Sequence, residues 1–120
     1  MVIRVTVQLR GKTYEGVEPG EDDSTEEALT AAHDLIERRF GPLVCITAIV
    51  DRFDGLVLVF GQSVASTWPG WHFRTATCGY VGSGPIASAR ILELFGFGTY
   101  AEIFALISVG SDDANFEFTK

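Results

Sequence analysis

Ile3, Val5, Val7 and Leu9 alternate with Arg4, Thr6, Gln8 and Arg10. A period of two sends successive side chains to opposite faces, so this stretch predicts a strand with one wet face. Gly11-Lys12 offers a two-residue turn, and Thr13 to Val17 returns as a short partner strand. After a loop at Pro19 to Asp23 the rhythm changes. Ser24-Thr25-Glu26-Glu27 matches a capping box, in which Ser24 and Glu27 satisfy free backbone amides at a helix start. Ala28, Leu29, Ala32, Leu35, Ile36 and Phe40 then recur at helical spacing until Gly41-Pro42 ends the run.

Two runs, Leu43 to Phe53 and Leu56 to Gln62, flank Asp54-Gly55, a type I′ turn signal. Both runs are apolar on both faces, which predicts strands covered on two sides. Helices are expected to cover one side and a subunit partner the other. Trp71 to Tyr80 reads as a further strand, with Trp71, Phe73, Thr75 and Thr77 on one face and His72, Arg74, Ala76, Cys78 and Tyr80 on the other. Pro85 suits the first position of a helix over Ile86 to Phe95, which Gly96 stops. Thr99 and Glu102 form a second capping box before a short apolar helix to about Val109, and Asn115 to Thr119 alternates as an edge strand would. The predicted fold class is α+β: a single domain over residues 1 to 120, with a mostly antiparallel sheet of five to six strands and three helices mainly on one face.

Composition narrows the function classes. The chain has 120 residues, 47% of them hydrophobic and 21% charged, which argues against disorder. Its 16 acids against 9 Lys plus Arg give a net charge of −7. Nucleic-acid binding needs clustered cations, so no nucleic-acid partner is expected. Met1 to Arg10 lacks the apolar block of a signal peptide, and no apolar run reaches the ~20 residues that span a bilayer. No membrane partner is expected, and the expected location is cytoplasmic. Cys45 and Cys78 lie far apart in apolar runs and read as reduced, buried residues.

The candidate chemistry centres on Gly79-Tyr80-Val81-Gly82-Ser83-Gly84-Pro85. A strand leading through glycines into a helix points unpaired N–H groups in one direction, an arrangement suited to an anion. Gly82, Ser83 and Gly84 would supply amides and a hydroxyl. Arg74 would add a forked cation, Tyr80 a stacking plate, and His72 a further polar contact. The competing reading is that the glycines serve backbone angles alone and that Arg74 pairs with an acid. Gly82-x-Gly84-x-x-Ala87 matches a dinucleotide fingerprint only loosely, because a helix and not a second parallel strand follows. The serine elbow is absent, since Val81 stands where its first glycine belongs.

Gly79, Tyr80, Gly82, Ser83, Gly84, Pro85, Ala89 and Leu92 together resemble a short family of uncharacterised bacterial and phage proteins, with Cys78 where that family usually has Trp. The resemblance covers about an eighth of the chain. It implies a strand–loop–helix unit in a small, phage-associated protein and no particular activity.

Elsewhere the residues point to little chemistry. His33 and His72 form no short-range cluster with Cys or acids, so neither a metal site nor a cofactor is expected. Cys78 is six residues from His72, roughly 20 Å along an extended strand, too far for a direct hydrogen bond. Trp68, Trp71 and Phe73 are the densest aromatic group, either an interface anchor or core. The expected function is therefore a non-enzymatic small-ligand binding protein for a phosphate-bearing or nucleotide-like ligand, an anionic small molecule, acting as a phage-type sequestering or inhibitory protein. A homo-oligomer is expected. The alternative is a protein–protein interaction module or homo-oligomeric inhibitor that uses the Trp68–Phe73 segment, and an enzyme of unknown class is the third reading.

Overall fold

A computed structural model describes residues 5–9, 11–20, 22–38, 40–61 and 70–120. Ile3, Arg4, Glu21 and Trp68, each part of a feature expected from the sequence, lie outside the described residues. The chain order is β1 (Val5–Leu9), β2 (Lys12–Pro19), α1 (Thr25–Glu37), β3 (Cys45–Asp51), β4 (Gly55–Phe60), β5 (Gly70–Phe73), α2 (Ser83–Leu94), α3 (Tyr100–Ile107) and β6 (Asn115–Thr119).

The fold mixes helices and strands, and its six strands form one sheet in the order β1-β2-β5-β4-β3-β6. The sheet is mixed, which corrects the expectation of a mostly antiparallel one: β2 and β5 run parallel, with Val17 opposite Gly70 and Pro19 opposite His72. This parallel seam arises because the chain leaves β2, crosses through α1 and the β3–β4 hairpin, and returns alongside β2 as β5.

Gly16 explains how the sheet curls. Val5 pairs with Val17 but Thr6 pairs with Glu15, so Gly16 is an extra residue, and its φ of 73° is one that glycine adopts without strain. Such a bulge bends its strand. Beyond it, Tyr14 lines a shallow pocket together with Val59, Thr47 and Thr119 of β4, β3 and β6. Val7 and Tyr14 pack against a small buried cluster of Val17, Ile49 and Val57. The second apolar face of β3 and β4 is thus covered by the chain's own hairpin, and its burial no longer argues for a subunit partner.

The larger core takes the alternate residues of the same strands. Ala48, Val50, Leu56, Leu58, Phe60 and Phe73 meet Ala28, Ala32 and Leu35 from α1, Ile91 and Leu92 from α2, and Ile103 and Ile107 from α3. Both helix caps expected from the sequence form. The Ser24 side chain accepts from the Glu27 amide at 3.2 Å, and that of Thr99 accepts from the Glu102 amide at 3.3 Å.

Two turns differ from the sequence expectation. Lys12 pairs with Leu9 and so belongs to the strand rather than the turn. The β3–β4 connection is the three-residue Arg52 to Asp54, closed by Gly55 at φ 88°, because the Asp51 carboxylate accepts the Phe53 and Asp54 amides at 3.0 Å each.

The strand expected to reach Tyr80 ends at Phe73. Its continuation is captured by Asp22, which is only 1% exposed. The Arg74 amide donates to Asp22 Oδ1 at 3.3 Å, the Thr75 amide to Oδ2 at 3.0 Å, and the Thr75 hydroxyl also donates to Oδ2. Amides spent on a carboxylate cannot extend a ladder. Asp22→Ala would orphan all three donors at a buried site and is expected to cost about 2–4 kcal/mol. Asp23→Ala, which removes only an exposed ion pair with Arg74, is expected to cost less than about 1 kcal/mol. Urea unfolding of the two variants measures the contrast, and equal losses would refute it.

Candidate functional site

The glycine loop begins where Asp22 ends β5. Ser88, buried on α2, donates to the Thr77 carbonyl at 2.7 Å and pins the loop to the helix. The Gly79 amide donates to the Ile107 carbonyl at 2.7 Å, tying the loop to the end of α3. Helix α2 starts at Ser83, two residues before Pro85, with Gly82 as an N-cap that makes no side-chain capping bond.

The Cα sides of Gly82 and Gly84 are packed. The Tyr80 and Thr77 hydroxyls bond to each other at 2.9 Å. A Cβ on Gly84 would collide with both hydroxyl oxygens and come within 3.2 Å of the Thr75 carbonyl. A Cβ on Gly82 would stand 2.8 Å from the Tyr80 ring. Gly84 is buried, whereas Ser83 is exposed. Tyr80 is not a free stacking plate: the Arg52 guanidinium lies 5.3 Å from its ring centroid and donates to the Gly79 carbonyl. Arg52 is the cation beside this loop, and it is far from the loop in sequence.

The other expected ligands are engaged elsewhere. Arg74 donates to Asp23 Oδ1 at 2.9 Å, and His72 Nε2 donates to the Asp54 carbonyl. The Thr25 hydroxyl donates to the Ser83 carbonyl at 3.0 Å, so the acidic first turn of α1, with Glu26 and Glu27, adjoins the start of α2. An anion there would meet carboxylates as well as amides. Of the aromatic group, Trp71 is 8% exposed and Phe73 fully buried, so both are core residues in this chain.

A second location offers an open volume. An open trough of about 740 Å³ runs between α1 and the parallel β2–β5 seam. Its strand side is Glu18, Pro19 and Trp71. Its helix side is Ser24, Glu26, Glu27, Thr30, Ala31 and Asp34. Glu27, Thr30, Ala31 and Asp34 recur at the i, i+3, i+4, i+7 spacing of one helical stripe, a sign that the sequence does carry. Which strand faces that stripe is set by the parallel pairing. The Trp71 indole N–H has no acceptor among the described residues. At one end the Arg38 guanidinium sits 5.5 Å from the Trp71 ring centroid, 3.6 Å from Glu18 and 4.0 Å from Asp34.

The thiols are closed to chemistry. Burial pushes both Cys45 and Cys78 up to about 12, the Asp51 carboxylate adding to the rise at Cys78. Among the described residues no group of three or more His, Cys, Asp or Glu could hold a metal ion, and no helix is long and apolar enough to cross a membrane. No family model, curated protein or solved structure matches the chain.

Two outcomes follow from this geometry. Gly84→Ala is expected to destabilise by about 1–3 kcal/mol through overpacking, and Thr77→Ala in the same chain to recover part of that loss. Thermal unfolding of the single and double variants checks it, and a neutral Gly84→Ala would contradict the packing. Both thiols are expected to resist alkylation in the folded chain from pH 7 to 9 and to react at once in denaturant. Because their folded values exceed the usual 9.0, the stability they support is complete below pH 9 and is lost as pH rises toward 12.

Proposed function

We propose that this chain is a non-enzymatic binding protein whose small ligand lies in the trough between α1 and the β2–β5 seam. The trough carries the reading. Its volume of about 740 Å³ falls within the roughly 300–1,000 Å³ of small-molecule sites, and a large aromatic forms its floor among polar walls. The engaged His72 and the two shut thiols favour binding over catalysis by these groups. A phosphate-bearing ligand at Gly82–Gly84 is the weaker form of the same idea, because Tyr80 and Thr77 fill that corner and the acids of α1 border it.

A protein-interaction role is the second reading, moved from Trp68–Phe73 to another surface. Phe53 is 71% and Val81 76% exposed, and Phe53 and Tyr80 flank the Arg52 guanidinium.

Amide and indole resonances of the full chain, titrated with a panel of cationic, neutral and anionic metabolites, test the site. Shifts at the Trp71 indole and at Ala31 are expected. Shifts confined to Gly79–Gly84, or none with any compound, would overturn the trough as the site.

A further inference from the structure

Exposed apolar side chains gather around Arg52. Its guanidinium donates to the Gly79 carbonyl, lies 5.5 Å from the Phe53 ring centroid and 5.3 Å from that of Tyr80, and sits 3.8 Å from Asp112. The Arg52 amide donates to the Ala114 carbonyl at 3.0 Å, and the Ser111 amide to the Gly79 carbonyl at 3.1 Å. The β3–β4 turn, the glycine loop and the turn after α3 are therefore bonded into one surface. Phe53, Val81 and Val109 are exposed on it, and Leu106 is exposed near the end of α3 that Gly79 ties to the loop. The other large apolar side chains exposed among the described residues, Leu43 and Ile46, lie toward the opposite end of β3. Single exposed apolar residues are ordinary, but a group of them marks a contact surface.

Charge says what covers it. Asp54, Asp112 and Asp113 are exposed on the same turns. Arg52 is the cation near Asp112, and no cation pairs with Asp54 or Asp113 among the described residues. A second copy would set these acids against themselves, on a chain whose net charge is already −7. Nucleic acid and an anionic membrane meet the same repulsion. An apolar surface with an acidic rim is complementary to an apolar segment with basic neighbours.

We propose that this surface docks a basic amphipathic segment of another protein, its apolar side chains on Phe53, Val81 and Val109 and its lysines or arginines toward Asp54 and Asp113. This rests on the second reading above and adds the partner's chemistry; it is independent of the trough. Because Arg52 and Gly79 hold the turns together, the surface is preformed and little ordering is needed to bind.

The test titrates the full chain with helical peptides. All are acetylated and amidated repeats of Leu-X-X-Leu-Leu-X-Leu, with X as lysine, glutamine or glutamate, so they share a leucine face and differ in charge. The lysine peptide is expected to shift the Phe53, Val81 and Val109 amides, and the glutamine peptide to bind about fivefold to tenfold more weakly. The glutamate peptide binds more weakly still, and added salt narrows the gap. Val81→Ser and Phe53→Ser are each expected to weaken the lysine peptide about fivefold, whereas Leu43→Ser, more exposed but outside the surface, leaves it unchanged. Asp54→Asn combined with Asp113→Asn is expected to bring the lysine peptide down to the affinity of the glutamine peptide. Glutamine binding there as tightly as lysine would overturn the partner's charge and leave the surface standing. Lysine-peptide shifts that survive both serine variants would overturn the site. No shift at these amides from any peptide would overturn this proposal together with the second reading, leaving the trough to the metabolite panel. Concentration-dependent dimers in light scattering, lost in Val81→Ser, would put a second copy in the partner's place.

Discussion

One carboxylate almost sealed from water joins the two halves of this fold. Asp22 sits in the entry to α1 and accepts two backbone amides and a hydroxyl from the segment leaving β5. A buried charge is tolerated only when donors surround it, and here the donors come from more than fifty residues away. Their capture has two effects. It ends β5 at Phe73 and releases the following residues to form the loop over α2. It also fixes the start of α1 beside the end of β5, where a further bond, from the Gly20 amide to the His72 carbonyl at 2.7 Å, tightens the junction. The trough is the gap between the helix held there and the seam beneath it.

That arrangement separates two features the sequence invites one to combine. The glycine-rich turn and the acidic helix start are brought together by the Thr25–Ser83 bond, so amides suited to an anion border carboxylates that repel one. Packing decides between them. Tyr80 and Thr77 close over the glycines, while Glu26 and Glu27 stay on an open wall. The polar nest under Arg52 belongs to the same packing: its guanidinium ties Gly79 to the β3–β4 turn, where desolvation raises the half-buried Asp51 carboxyl but the bonds from the Asp54 amide, Asn115 and the Phe53 amide together hold it below its usual range.

What was legible in the sequence is local. Ser24 and Glu27, Thr99 and Glu102, and the double-faced apolar runs of β3 and β4 each carry their signal within a few residues. The mixed α+β class followed from these. The rest depends on contacts across the chain. The alternation from Trp71 to Tyr80 reads as one strand because nothing nearby shows that Asp22 will take the amides of Arg74 and Thr75. The second apolar face of the sheet suggested a partner because the bend at Gly16, which folds β1 and β2 across it, becomes visible only once Val5 and Thr6 find their register. The stripe of Glu27, Thr30, Ala31 and Asp34 was present on α1, but without the parallel β2–β5 seam there was no reason to set Trp71 opposite it.

Amide hydrogen exchange at Arg74 and Thr75 tests the junction most directly. These residues lie outside every helix and strand, so ordinary loop amides in their place would exchange rapidly. Both are expected to exchange as slowly as the central amides of β4, because opening them requires freeing a buried carboxylate. Exchange at loop rates would mean that Asp22 does not hold this junction closed, and the trough would lose the wall that defines it.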